Sequence, residues 1–525
     1  MLREIRLLTR LENLNLYGLN RLKYTTDKKE KRRICLLACV WFFAIVVFLG
    51  YSGGCAYGLH LMGLTHAVPA LFTSIVSLVL LFTGAFSSSS ALFRKNGFDF
   101  LSALPIHPFS IVVSRLIRMY VENLLACFAV TLPAIGVYAY FSSPAFLFYP
   151  AWLVSVLFMP MIPMCLSVLL GALITLLSSA FRKTAVIQAL ITVVFVAGIL
   201  FGSSYLTKIE NELTPEAIRS VTELVLKSLE KTYLPAAWIG GIAVQKYLPL
   251  LPLIGSSLAL VALTVIFTVR IFPFVLKHSV AKSERKAFSA EKSIKSSSVM
   301  PTLVAREFKR YFASGIYLLN TIISPVMAVG AGVMFMAGGA EAVVTILPFD
   351  INFPLICAFL IGIICSLMPP SAVSLSMEGK TWWLLKALPV RTEHLMGAKI
   401  LMSVLLHAPF LIVSSVLTVI ALSPNAGYAV VMILTPFVLD VFSCTWALFI
   451  NTKFPRFDWE NEVYVVKQSA AAGVGGLTAP LIAILGAIPV AVIGTVLSAV
   501  VSLGAFILIT FILVHVIFKT ELIKL

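Results

Sequence analysis

Ionisable side chains inside long apolar stretches are the first candidates for chemistry in this sequence. Glu122 and Asp440 each interrupt a hydrophobic run, and His407 lies in a third run. A charged side chain at the centre of a bilayer costs roughly 2.5 to 3.5 kcal/mol on insertion scales, so it marks a functional position by default. Structural alternatives remain open: an i,i+4 ion pair of Glu122 with Arg118, an Asp440 that faces other helices, and a His407 that is a packed polar residue.

The sequence contains no motif for nucleotide hydrolysis or metal catalysis. Gly379, Lys380 and Thr381 match the end of a P-loop, whose glycines let backbone N–H groups wrap phosphate, but Ser374 replaces its first glycine. The metalloprotease motif H-E-x-x-H and the hydrolase motif G-x-S-x-G are also absent. We therefore predict that the chain is not an enzyme and holds no metal or cofactor. We predict buried, unpaired cysteines that bind no metal, at Cys35, Cys39, Cys55, Cys127, Cys165, Cys357, Cys365 and Cys444.

Two short segments broken by proline share an Ala-Leu-Pro centre, "DFLSALPIHPF" at 99–109 and "WLLKALPVRTE" at 383–393. Proline ends a helix and disfavours helical geometry in the residue before it. Each segment therefore predicts a short helix along the membrane, followed by a turn into the next span. The alternative is an interfacial anchor with tryptophan at headgroup depth. The candidate contact residues are Phe98, Phe100, Leu101, Leu104 and Pro105 in the first copy, and Trp382, Trp383, Leu385, Leu388 and Pro389 in the second.

A third segment, "FDWENE" at 457–462, carries an acidic cluster between two apolar runs. Its candidate residues are Asp458, Trp459, Glu460 and Glu462. We interpret it as a second docking element or an ion pair with the 383–393 region. The alternative is a solvated turn with Trp459 at the membrane interface.

The elements that must position these residues are membrane-spanning helices. Of the 525 residues 60% are hydrophobic and 12% are charged, against roughly 45 to 50% and 25% in soluble domains. About 20 apolar residues cross a hydrocarbon core of roughly 30 Å. Twelve runs of sufficient length predict twelve spans, near residues 35–53, 68–92, 110–140, 145–178, 185–206, 249–276, 316–338, 352–376, 396–422, 427–450, 470–488 and 497–518.

The net charge of +17 is distributed unevenly across this map. All but five of the 40 Lys and Arg residues fall on one side, and those five lie in the segment 207–248. The positive-inside rule makes the basic side cytoplasmic, with both termini inside. This placement favours a multi-pass plasma-membrane protein, most consistent with a bacterium, over a nucleic-acid-binding protein.

The polar linker between Lys277 and Lys295 divides the chain into two predicted halves of six spans, 1–285 and 286–525. Pro389 stands 284 positions after Pro105, and the shared Ala-Leu-Pro loop follows the second span of each half, which predicts an internal duplication. The first half begins with a predicted basic amphipathic helix over residues 1–33. Its outer segment near 207–248 is predicted to contain an amphipathic helix and a short re-entrant or interfacial piece.

These features together resemble the permeases of ABC-2 type exporters, in particular a subset in which two halves are fused. That subset carries "EGKxWWLLKxLP" and a basic residue near the start of the next span, which here are residues 378–389 and Lys399. The resemblance implies that the proline-broken segments act as coupling helices on a separate ABC ATPase subunit, in two copies. It also implies that ATP and Mg²⁺ bind to that partner. The first copy departs from the motif, so unequal contacts are expected.

The sequence therefore predicts the all-α permease of an ATP-driven exporter, with twelve spans in two related halves. Its few membrane charges favour an amphipathic, peptide, lipid-like or drug-like substrate. Two other classes stay open: a secondary transporter driven by an ion gradient, and a non-transporting membrane anchor or regulator.

Overall fold

A computed structural model describes residues 1–16, 28–92, 106–180, 198, 228, 231–243, 245–280, 298–336, 352–387, 389–459 and 462–520. Within these ranges all regular structure is helical, which confirms the predicted all-α polytopic fold. The helices are α1 Leu2–Leu16, α2 Lys28–Leu61, α3 Val68–Leu92, α4 Pro108–Ser142, α5 Phe148–Phe158, α6 Met161–Ala180, α7 Leu234–Ala243, α8 Leu250–Val280, α9 Val299–Ala313, α10 Gly315–Met334, α11 Phe353–Cys365, α12 Ser371–Ser374, α13 Trp382–Ala387, α14 Thr392–Leu422, α15 Ala426–Lys453, α16 Glu462–Val466, α17 Ala470–Ile493 and α18 Val496–Phe518.

Most of the predicted span map agrees with these helices. In the described part of the chain, nine helical stretches are long and apolar enough to cross a membrane, and each coincides with a predicted span. The first and eighth predicted spans correspond to shorter apolar helices, Ile45–Leu61 and Phe353–Cys365. The predicted fifth span, 185–206, lies almost wholly outside the described residues, as does the amphipathic helix predicted from Ile218 to Leu229.

The eighth predicted span needs correction. The apolar run near 352–376 is not one continuous helix, because α11 ends at Cys365 after 13 residues. Pro369 and Pro370 follow, and neither can supply the backbone N–H that an α-helix requires. The chain then forms the short helix α12 and a 3₁₀ segment, Ser376–Thr381, that leads into α13. The second proline-broken segment, 383–393, therefore begins within α13, directly after this interrupted stretch.

The chain forms two compact units. The first covers the chain up to Ala287 apart from Arg32–Val40 and Lys183–Glu212, and its core lies among α3, α4, α6 and α8. The interfacial piece predicted near 233–244 is the ten-residue helix α7, which packs against α3 with Ile239 and Ile242 buried. At ten residues α7 is too short to cross a bilayer.

Of the predicted helical segment 1–33, the structure describes α1, Leu2–Leu16, and the first residues of α2 from Lys28, while residues 17–27 lie outside the described residues. Helix α1 packs along α4, where Ser110 Oγ donates to Glu4 Oε2 at 2.9 Å. Leu7 and Leu11 remain exposed. Helix α1 is thus tied to the start of a membrane span while it keeps an uncovered apolar stripe, as an interfacial helix does.

The second unit contains Phe288–Leu525 and holds the candidate sites. Its centre is α15, which packs against α11, α14, α17 and α18. Helices α11 and α15 approach closely because Gly362 has no side chain: a Cβ there would lie 2.5 Å from Leu439 Cδ1. This close packing brings the end of α11 against the middle of α15.

Candidate functional site

The second proline-broken segment forms the short helix α13, which is buried on one side only. Trp382 and Leu385 are 5% and 3% exposed, whereas Trp383 is 64% and Leu384 48% exposed. On the buried side the Trp382 ring stacks on Phe457 with centroids 5.1 Å apart and an interplanar angle of 6°. Pro389 is exposed, and Leu388 lies outside the described residues. The predicted short helix is therefore present. One face of it is packed against the protein, and the opposite face exposes apolar side chains.

Directly before α13, Glu378 belongs to a group of five charged side chains that is largely buried, with Arg306 partly exposed. We call this group the ion cluster: Arg306, Glu307 and Arg310 on α9, Glu378 on the 3₁₀ segment, and Lys399 on α14. Lys399 Nζ lies 2.7 Å from Glu378 Oε1 and 3.0 Å from Glu307 Oε1, with its side chain fully buried. The ion cluster thus joins α9, the motif at 378–389 and the first turns of α14.

Two arginines complete the ion cluster. Arg306 Nη2 donates to Glu378 Oε2 at 2.7 Å, and Arg310 forms close ion pairs with both glutamates. Arg310 Nη2 also donates to the Ser374 carbonyl at 2.8 Å, and Lys399 Nζ donates to the same carbonyl at 3.3 Å. Three cations therefore neutralise two carboxylates and also hold the end of α12.

The surrounding charge keeps Glu378 ionised. Burial by itself raises the pKa of this carboxyl, but the Lys399 ammonium, the Arg310 guanidinium and the hydrogen bond from Arg306 outweigh burial, so its pKa lies well below the usual range. The Arg310 pKa is raised: burial opposes its charge, and the two glutamate carboxylates more than compensate. Glu378 and Arg310 are therefore both held in their charged forms.

The "FDWENE" segment packs directly on the start of the motif at 378–389. Gly379 has φ +53°, and a Cβ built there would lie 2.8 Å from the Trp459 ring, so only glycine fits. Trp459 Nε1 donates to the Ser376 carbonyl at 2.8 Å, and the Arg456 N–H donates to Ser376 Oγ at 3.0 Å. Residues 376–379 and 456–459 consequently form one packed structure.

The acidic residues of "FDWENE" do not act together. Asp458 is exposed, Glu462 Oε2 accepts a hydrogen bond from Ser314 Oγ at 2.5 Å, and Glu460 lies outside the described residues. Among the described residues, no cation forms an ion pair with Asp458 or Glu462. The predicted docking role of this segment stays a prediction. Its described contacts through Arg456 and Trp459 stabilise residues 376–379.

Most of the first proline-broken segment, including its Ala-Leu-Pro centre, lies outside the described residues. Phe98, Phe100, Leu101, Leu104 and Pro105 all lie outside the described residues. The helix that follows, α4, begins at Pro108, and α14 begins at Thr392, the equivalent position 284 residues later. The predicted duplication and the coupling role of both segments remain predictions.

The two predicted membrane charges lie in different settings. Arg118 Nε and Glu122 Oε1 lie 3.1 Å apart, which is the i,i+4 pair expected as the structural alternative, and both side chains are partly exposed. Asp440 is fully buried in α15, and His407 Nδ1 on α14 lies 2.6 Å from its Oδ1. Asp440 therefore has a partner that its own sequence neighbourhood did not supply.

A thiol completes this second buried group. Cys365 Sγ, at the end of α11, lies 3.5 Å from His407 Nδ1 and 3.6 Å from Asp440 Oδ1. We call Cys365, His407 and Asp440 the Cys–His–Asp group. Asp440 Oδ2 and His407 Nε2 are buried and have no hydrogen-bond partner in the described parts of the chain. The prediction that all cysteines are buried is wrong for Cys35, Cys39 and Cys55, because their helix α2 leaves them exposed, while all eight are unpaired as predicted.

Sequence reasoning missed the ion cluster and the Cys–His–Asp group as sets. Glu307 was visible as the single acid in the basic stretch 301–314, which is a signal for a buried counter-ion. Its partner Lys399 is 92 residues away, and only the fold joins the two.

One comparison with known proteins covers most of the chain. The model of a family described as a membrane protein of 12 TMs matches residues 37–521. A comparison with curated proteins gives no match.

Proposed function

The chain belongs to this family of twelve-span membrane proteins, and from that premise we propose that it is the permease subunit of an ATP-driven exporter. The substrate would be amphipathic, peptide, lipid-like or drug-like and would leave the cell across the plasma membrane. Two copies of a separate ABC ATPase subunit would supply the energy and hold ATP and Mg²⁺. Both chain termini would be cytoplasmic, in agreement with the position of the basic residues.

The observation that carries this proposal is the exposed face of α13. Trp383 and Leu384 project from a six-residue helix whose opposite face is fixed by Trp382 and Leu385. Exposed tryptophan on a rigid base is typical of an interface hot spot, because little side-chain entropy is lost when the partner binds. The motif resemblance to ABC-2 permeases points to an ATPase subunit as that partner.

The ion cluster provides a route from α13 into the membrane. Glu378 stands four residues before Trp382 and is paired with Lys399 in the early part of α14. Helix α14 continues to Leu422, a length of 31 residues that is sufficient to cross the bilayer. A displacement of α13 by a docked ATPase would therefore act on a membrane span through a buried ion pair, as rigid-body switching requires.

A second candidate function has one specific observation in its favour. The buried His407–Asp440 pair is of the kind that secondary transporters use to bind a coupling ion near the bilayer midplane. In that case an ion gradient would drive transport, and α13 would be an interfacial anchor. The two candidates differ in energy source, which is directly measurable.

Flux measurements on the full chain separate these functions. The chain would be purified from native membranes with whatever ATPase accompanies it, identified by mass spectrometry and reconstituted in vesicles. ATP-dependent, vanadate-sensitive efflux of lipid-like or drug-like fluorescent probes is the expected result. Flux driven by an ion gradient without ATP would support the secondary transporter. Absence of flux under both conditions, with an ATPase bound, would support an anchor or regulator.

The docking surface has a separate test based on co-purification. Trp383→Asp combined with Leu384→Asp should abolish co-purification of the ATPase while the chain still inserts, because both side chains are exposed. Phe146→Asp is the matched control, since Phe146 is also highly exposed and lies in a loop on the predicted outer side. Undiminished ATPase binding by the double variant would contradict the proposed role of α13.

A further inference from the structure

The Cys–His–Asp group brings three different metal-binding atoms together in the second unit. Sγ of Cys365, Nδ1 of His407 and Oδ1 of Asp440 come from α11, α14 and α15, and all lie within 4.8 Å of one another. All three residues are fully buried. Packing of three helices fixes these positions, so the arrangement does not depend on a flexible loop.

The distances fit a tetrahedral metal ion with one small adjustment. Zinc bonds of about 2.3 Å to sulfur and about 2.0 Å to nitrogen or oxygen place sulfur about 3.5 Å from the other two atoms, and nitrogen about 3.3 Å from oxygen. The observed sulfur distances are 3.5 Å to Nδ1 and 3.6 Å to Oδ1. Only the 2.6 Å hydrogen bond between His407 and Asp440 would have to open, by about 0.7 Å, to admit the ion.

Charge balance and an unpaired carboxylate oxygen also favour a metal ion at this position. A divalent ion with a thiolate, a carboxylate and a neutral imidazole has no net charge, which suits a buried position far better than a carboxylate with only an imidazole beside it. Asp440 Oδ2 is buried without a hydrogen-bond partner among the described residues, so the carboxylate retains coordinating capacity. A further thiol is also close, since Cys444 Sγ lies 3.9 Å from Asp440 Oδ1.

We infer that Cys365, His407 and Asp440 form a binding site for a divalent transition-metal ion of the zinc class. Mixed sulfur, nitrogen and oxygen ligands select zinc or cobalt over magnesium or calcium, which require oxygen ligands. The Cys365 thiol loses its proton to solvent when the ion binds. Three protein ligands leave a fourth position for Cys444 or water.

Metal binding to the purified full chain tests this inference. Zn²⁺ bound after gel filtration is expected at about one ion per chain, since one set of three donors converges on one point. Bound Co²⁺ should show a thiolate charge-transfer band in the near-ultraviolet. Cys365→Ser should remove that band and weaken zinc binding more than about 100-fold, because loss of an outer-shell partner alone costs 10- to 100-fold. Asp440→Asn should weaken zinc binding similarly.

The controls separate a site from general thiol binding. Cys357→Ser removes a buried thiol from the same helix, two turns from Cys365, and should leave zinc content and the cobalt band unchanged. Cys365→Ser is nearly isosteric, so retention of an unchanged gel-filtration profile verifies folding. Wild-type chain that is folded but holds no zinc, or a cobalt band that persists in Cys365→Ser, would overturn the inference.

Discussion

The second unit holds two groups of buried ionisable side chains, the ion cluster and the Cys–His–Asp group. They differ in how completely their carboxylate oxygens are paired. In the ion cluster, every carboxylate oxygen of Glu307 and Glu378 has a cationic partner, and Arg310 Nε is a buried atom without a hydrogen-bond partner in the described parts of the chain. In the Cys–His–Asp group, one oxygen of Asp440 and one nitrogen of His407 have no partner among the described residues. Fully paired carboxylates fix a geometry, whereas an unpaired buried carboxylate oxygen keeps capacity for a ligand. The comparison thus agrees with a positioning role for the ion cluster and with the proposed metal site in the Cys–His–Asp group.

The largest expected effect on stability comes from removing a carboxylate of the ion cluster. Glu378→Gln leaves Lys399 fully buried with one carboxylate for three cations, and breaking a buried ion pair in this way costs about 3 to 5 kcal/mol. Chemical unfolding in detergent, followed by circular dichroism, measures this free energy. Glu393→Gln, an exposed glutamate at the start of α14, is the control and should change little. A loss below about 1 kcal/mol would show that the ion cluster does not hold the motif in place.

A second substitution, with an intermediate expected effect on stability, tests the packing of Trp459 against Gly379 directly before α13. Gly379→Ala forces a side chain into φ +53° and against the Trp459 ring, so we expect a loss of about 1 to 3 kcal/mol. Gly504→Ala is the control, because nothing lies within 4 Å of its Cβ position in α18, and alanine there should be neutral or stabilising. The steric clash with the Trp459 ring can be measured separately from the backbone strain at position 379, because a second substitution removes only the clash. If the clash dominates, Trp459→Ala should recover most of the loss caused by Gly379→Ala.

Acid provides a way to weaken the ion cluster without mutation. The folded pKa of Glu378 is depressed, so its contribution is complete above its unfolded pKa of about 4.3 and is lost as pH falls toward the folded pKa. Between pH 8 and 5 the contribution of Glu378 should therefore be constant, and it should decline below about pH 4. Unfolding curves of wild type and Glu378→Gln should converge in acid. Parallel curves down to pH 3 would assign the acid sensitivity to other carboxyl groups.

The comparison also shows which features of the molecule can be predicted from the sequence. Long apolar runs must be helical in lipid because no water satisfies their backbone groups, so the spans followed from composition. The buried partners did not follow, since the Cys–His–Asp group joins residues 42 and 33 positions apart on three helices. Only helix packing determines such contacts.

The break after α11 is a different kind of failure. Pro369 and Pro370 were visible in the sequence, but the apolar character of residues 352–376 concealed that they end the helix. The same local rule correctly predicted the short helix α13. Local proline chemistry was therefore sufficient where it was applied, whereas hydropathy alone was misleading.

The smallest expected effect concerns Glu122, the one predicted membrane charge that belongs to neither buried group. Its pair with Arg118 is an i,i+4 contact with both side chains partly exposed, and such pairs contribute about 0.3 to 0.5 kcal/mol. Glu122→Gln should therefore alter the unfolding free energy by less than about 0.5 kcal/mol and leave both zinc content and ATPase co-purification unchanged. Asp440→Asn, measured in parallel, should lose zinc. A large loss of transport in Glu122→Gln with unchanged stability would instead place Glu122 on the substrate pathway, because a structural ion pair cannot produce that combination.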